Sequence, residues 1–114
     1  MMTPAASFAP SFASRFFEQV PTNVIDALPS GVAVVFELSG PEGGRWTVER
    51  DDEGRGRIRE VAPPRPDCRL KCSTDDFRSL LQGTLDPRDG FLEGRFEVEG
   101  DVGLVLALHR CLIA

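Results

Sequence analysis

Few residues in this chain are equipped for chemistry, and their spacing fits none of the common mechanisms. His109 is the single histidine. A general base needs an oriented partner and a nucleophile within reach. No Gly-x-Ser-x-Gly elbow or Cys–His signature accompanies His109, so it reads as a solvent-facing or capping residue near a helix C-terminus. Cys68, Cys72 and Cys111 are an odd set. Cys68 and Cys72 stand four apart in a strand-like segment, about 13 Å end to end and too far apart for a disulfide. With no Cys-x-x-Cys or Cys/His spacing, they read as buried, reduced thiols. Glu97, Glu99 and Asp101 alternate along a strand, which suits a wet face better than a metal site. Gly54-Arg55-Gly56 reads as a hairpin turn, because no helix follows to complete a phosphate loop. Gln82 and Glu93 read as ordinary surface. No catalytic residue, metal ligand or cofactor is expected.

What the chain does carry is apolar surface. Its 114 residues suit one core. Eight Phe and one Trp occur with no Tyr, so the aromatic rings bring no hydroxyl that needs a partner. A net charge of −5 argues against nucleic acid, which requires a basic face. Twelve of the thirteen basic residues are Arg, with Lys71 the exception, a bias that fits a GC-rich bacterial coding sequence. The first residues lack a charged segment followed by a long apolar run. Even Leu104 to Leu108, as long as any continuous apolar stretch in the chain, is far short of the ~20 residues that span a bilayer. A cytoplasmic protein without a transmembrane segment is expected, touching membranes only transiently.

The positioning elements follow from periodicity. Residues 1–10 read as a flexible arm and 11–114 as a single domain. Ser11 caps a helix with Phe12, Phe16 and Val20 on one face, stopped by Pro21. A short second helix runs from Thr22 to Pro29. Val32 to Leu38 is apolar at both parities, the mark of a central strand buried on both faces. Trp46 to Arg50 and the charged edge candidate Arg57 to Ala62 follow across two turns and complete an antiparallel meander. Pro63-Pro64-Arg65-Pro66 reads as a stiff connection. Cys68, Leu70 and Cys72 alternate with polar residues in a half-buried strand. Ser73 or Thr74 caps a helix carrying Asp75 and Asp76 in its first turn, with Phe77, Leu80 and Leu81 inward and Gly83 at its end. Asp86-Pro87 opens a helical turn bearing Phe91 and Leu92. Arg95 to Glu99 alternates with Phe96 and Val98 inward, and Asp101 caps a final helix from Val102 to about Ile113. The order gives an α+β domain with helices on one face of the sheet.

The final helix is apolar around most of its circumference, His109 and Arg110 being its only polar residues after Asp101. A helix covering a sheet needs a stripe only somewhat wider than about 100°. Its second face could be covered by a homodimer partner, by the N-terminal arm, or by an acyl or sterol-like ligand between helices and sheet. Periodicity leaves all three open.

The run Leu80-Leu81-Gln82-Gly83-Thr84-Leu85-Asp86-Pro87, continuing through Phe91-Leu92-Glu93-Gly94-Arg95-Phe96-Glu97-Val98-Glu99-Gly100-Asp101, resembles the C-terminal half of sterol carrier protein 2 (SCP2) domains. The segment Asp67 to Phe77 is similar to that family's strand-to-helix junction. The likeness runs from about Gly31 to Leu112 and is strongest over residues 67–108. It implies a five-stranded mixed sheet, an antiparallel three-strand meander plus two further strands, covered on one face by helices. It also implies a hydrophobic tunnel that binds and transfers a fatty acyl chain, sterol-like or isoprenoid lipid, with no catalysis. The chain lacks a peroxisomal tail, which fits a stand-alone bacterial member. The alternative is an accessory or scaffold protein that presents an apolar groove to a partner or holds a quinone or polyketide intermediate for another enzyme. The expected tunnel wall is Phe36, Phe77, Leu81, Phe91, Leu104, Val105 and Leu108, with Phe17 as a lid.

Overall fold

The computed structural model describes residues 12–19, 25–40 and 43–113, with the side chains of 12–14 and 111–113 outside the description. The expected arm, the Ser11 cap, Val20, Pro21 and the start of the second helix fall outside it. The elements are α1 (Phe12–Glu18), β1 (Ala33–Ser39), β2 (Gly44–Arg50), β3 (Gly56–Arg59), β4 (Cys68–Ser73), α2 (Thr74–Gln82), α3 (Pro87–Leu92), β5 (Glu97–Gly100) and α4 (Val102–Ile113). Of the expected second helix, residues 22–24 lie outside the described residues, Ile25 is helical, and a turn follows with the Leu28 N–H donating to Ile25 O.

The strands form one mixed sheet in the order β3-β2-β1-β4-β5. Only β1 and β4 run parallel; every other neighbouring pair is antiparallel. The α+β architecture and the meander match the sequence reading, and β1 is the central strand. Register sorts the side chains into two faces, because alternate residues point to opposite sides. Ile58, Val48, Val34 and Cys68 form one inner row, and Trp46, Phe36, Leu70 and Val98 the next. Facing outward are Arg57 and Arg59, both donating to Glu49 (3.1 and 2.8 Å). Arg69 lies near Glu37 (3.5 Å) and Lys71 near Glu99 (3.7 Å) on the same side.

β3 stops at Arg59 rather than at Ala62. The chain must pass from β3, outside β2, to β4 on the far side of β1, so it crosses one face of the sheet. Thr47 Oγ1 donates to Val61 O (3.0 Å), which puts that crossing on the outer face. There Thr47 and Val35 are wholly buried, which explains why β1 is apolar at both parities. Asp67 fastens the end of the crossing, its N–H donating to Ala33 O and its carboxylate accepting from the Ala33 N–H (2.9 Å).

The capping signals behave as their chemistry requires. Ser73 accepts from the Asp76 N–H, and Gly83 ends α2 in the left-handed region. The Asp51 carboxylate turns the β2–β3 hairpin by accepting from the Arg55 and Glu53 N–H groups (2.8 and 2.9 Å). The Arg55 backbone bond leads in holding Asp51 below the ordinary carboxylate range.

Gly100 links β5 to α4 with φ +93°, and a Cβ there would stand 2.3 Å from Asp67 O. Gly100→Ala should therefore cost about 1–3 kcal/mol, seen as a lower urea midpoint at unchanged slope. A midpoint equal to that of the parent would show that the junction can relax.

Candidate functional site: the aromatic gap between sheet and helices

The inner face of the sheet is met by α1, α2 and α4, and the space between is filled by rings. Phe17 lies at the centre and is 3% exposed. Its ring stacks on Trp46 of β2 at 4.9 Å and on Phe77 of α2 at 5.8 Å, both at 12° between planes, and meets Phe36 of β1 at 5.3 Å. Phe16 packs edge-on against both Phe17 and Phe77. Each such pair adds about 0.5–1.5 kcal/mol beyond its buried area. No ring in the cluster carries a hydroxyl, so it needs no hydrogen-bond partner there beyond the single indole N–H.

An open cleft of about 450 Å³ reaches this cluster from the β3 edge. Phe17, Ile25, Trp46 and Ile58 are its apolar lining, and Glu18, Arg59 and Glu60 supply its charge. Ile25 is held by close approach to the backbone: a Cβ on Gly56 would meet its Cγ2 at 2.2 Å. Arg50 ties the preceding turn to the sheet, donating to Leu28 O at 2.8 Å and to Gly54 O at 3.2 Å.

A larger open cleft, about 690 Å³, lies at the C-terminal ends of β1 and β4. Its lining includes Glu37, Lys71, Asp76, Arg95 and Glu97. Arg95 donates to Asp76 (2.8 Å), and that bond raises the guanidinium pKa. Such walls suit ions, whereas an acyl chain would leave them desolvated and unpaid by contact.

Of the residues expected to line a tunnel, Phe36, Phe77 and Leu108 are buried in the core, and Leu81, Leu104 and Val105 pack partly buried against it. Phe91 departs from its expected inward position and is 52% exposed. The reason is Gly90, which takes the inward place on α3: a Cβ there would meet the Phe96 ring at 2.1 Å. The next residue is rotated about 100° away. Phe17, expected as a lid because it cannot share the face of Phe16, is buried at the centre of the ring cluster. Helix α1 lies in the corner between β2 and α2, so two of its faces are occupied.

Helix α4 packs on α2 and β4, with Leu108 inward and Val102 and Leu106 exposed. Its apolar surplus thus faces outward in part. His109 is neither capping nor free: Nε2 lies 3.3 Å from Leu80 O. A carbonyl only accepts, so Nε2 donates and links α4 to α2. Among the described residues no cluster of His, Cys, Asp and Glu could hold a metal ion, and no helix is long and apolar enough to cross a membrane.

Sequence reasoning missed Trp46, Ile25 and Ile58 as lining residues. The parity of Trp46 with Val48 was visible, but its register opposite Phe36 was not.

The comparisons agree with this geometry. The family described as the SCP-2 sterol transfer family matches residues 27–112; the chain belongs to that family, whose domains bind or transfer lipids. Hydroxysteroid dehydrogenase-like protein 2 of Mus musculus is 32% identical over 78 residues, covering 68% of this chain and 16% of the relative. The chain thus spans about a sixth of that protein's length. Among solved structures, sterol carrier protein 2 from Yarrowia lipolytica, in its apo form, superposes with TM-score 0.62 at 22% identity, covering 86% of this chain and 94% of that one. The sterol carrier protein domain 2 of Helicoverpa armigera gives TM-score 0.61 at 24% identity over 87% of this chain and 80% of that one. These two superpositions bear on the fold alone.

Burial pushes the Cys68 thiol up to about 11 and the Cys72 thiol up to about 12, from an ordinary 9.0. A raised thiol keeps its proton in the fold after the unfolded chain has begun to lose it. Stability from this source is therefore complete below about pH 9 and declines as pH rises towards 11–12. In native protein at pH 8, iodoacetamide followed by peptide mapping should find Cys68 and Cys72 unmodified, and alkylated only after unfolding. Rapid native labelling of either would show that the inner rows open readily.

Proposed function

We propose that this domain is a non-catalytic carrier of a single-chain hydrophobic ligand, a fatty acyl chain or an isoprenoid of similar width. The ligand enters by the cleft between Ile25 and Ile58 and lies against the inner rows of the sheet. Phe17 is the movable element. Swinging from between Trp46 and Phe77, it opens a path towards Phe36, Leu81, Leu104, Val105 and Leu108. The observation that carries this reading is an apolar cleft ending directly on a stack of rings. Rings on one side of a gap can be exchanged for an acyl chain at little cost, because both fill it through area alone. Arg59 and Glu60 stand at the mouth, where a polar head group would stay wet. Residues 11–114 act as the carrier unit, and any enzyme found with it performs chemistry on the delivered ligand.

Trp46 is the chain's only tryptophan and lies in the proposed path, so it reports occupancy. Titration with a fatty acid brominated along its chain should quench Trp46 emission saturably, in the micromolar range or below. The parent unbrominated acid should restore the emission. Phe17→Trp would confuse that signal, so Phe17→Leu serves as the gate variant: it should speed ligand release several-fold and lower the thermal midpoint, because the ring contacts to Trp46 and Phe77 are lost. Quenching that is linear and unsaturable, with no displacement, would remove the carrier reading.

A further inference from the structure

Helix α3 exposes two large apolar side chains side by side. Phe91 is 52% and Leu92 76% exposed. Packing holds them out, since Gly90 seats the helix backbone on Phe96, a member of the core. The turn is also tied at both ends. Asp86 accepts from the Arg88 N–H (2.8 Å), and the Glu93 N–H donates to Asp89 O (2.9 Å). The pair therefore projects from a braced knuckle, and the apolar exposure is built in.

We infer that Phe91 and Leu92 are a docking tip that seats the domain on the interface of a lipid bilayer. A second copy of the chain is the rival occupant, and area decides against it. A stable protein interface takes roughly 800 Å² from each partner, whereas two side chains of this size supply on the order of 300 Å². A bilayer needs no matched surface, and each inserted side chain contributes in proportion to its own area. Charge selects the kind of bilayer. Between Asp86 and Arg95 three acids stand with two arginines, and Arg95 is already engaged by Asp76 and Glu93. On a chain of net charge −5, anionic lipid is repelled, so the fitting surface is zwitterionic phosphatidylcholine, which has no net charge. The inference rests on the carrier reading for its purpose, since a carrier must meet the membrane that holds its cargo; the contact itself stands on α3.

The test is co-sedimentation of the full chain with phosphatidylcholine vesicles. The parent protein should partition onto them, and Phe91→Asp combined with Leu92→Asp should lower that partition by about tenfold or more. Thermal melting checks that the variant is folded, and brominated fatty acid should quench its Trp46 as in the parent. Phe91→Trp gives a second readout, with the new indole shifting to the blue on vesicles while Trp46 stays buried. Equal partition of parent and double variant, no partition of the parent, or an unshifted indole would each overturn the inference. So would self-association of the parent that the double substitution abolishes, which would assign the tip to a second copy. Vesicle partition without quenching of Trp46 would sink the carrier reading and leave the docking tip standing.

Discussion

The position of Phe17 between Trp46 and Phe77 is the constraint on which the rest depends. One ring joins α1, the second strand and α2, elements far apart in the chain. Among the described side chains of α1, Phe16 and Phe17 are the two packed in the core, so that contact is central to how the helix is held. The stack also settles what kind of interior this is. Stacked rings bind one another through area and quadrupole, without directed hydrogen bonds, so this interior is held by shape and burial.

One sheet serves two environments, and the crossing from β3 to β4 is what separates them. The parallel β1–β4 pair forces the chain over the outer face, where it buries Val35 and Thr47 and leaves a lattice of arginine–glutamate contacts around them. Such partly exposed pairs contribute about 0–1 kcal/mol each. Their use lies in keeping the outer face wet, so that helices collect on the other side. The apolar material thereby concentrates in one gap, and the family to which the chain belongs uses such domains to bind or transfer lipid.

The reactive side chains that the structure describes are engaged within the fold. Among the described residues, the Cys68 and Cys72 thiols are buried and hold their protons, His109 is spent on an interhelical link, and Arg95 in the charged cleft is paired with Asp76. Apolar surface stays accessible at the cleft on the β3 edge, on the knuckle of α3 and on part of α4. The chain matches about a sixth of the length of hydroxysteroid dehydrogenase-like protein 2 of Mus musculus.

Much of the element order was readable from spacing. Alternation along Cys68–Ser73 and the Ser73 cap rest on local geometry, which the chain carries wherever it goes. The apolar run of β1 announced a strand buried on both faces, and the final helix announced its surplus. What local pattern could not supply were the outcomes that depend on a partner distant in sequence. Phe16 and Phe17 looked like one inward and one outward residue, yet both are inward because α1 lies in a corner with two walls. Phe91, with no polar group to place, reads as part of the helix–sheet gap, yet Gly90 takes the contact with Phe96. Periodicity describes how a helix divides its own circumference; which part of that circumference meets protein is set by whatever the rest of the chain brings alongside it.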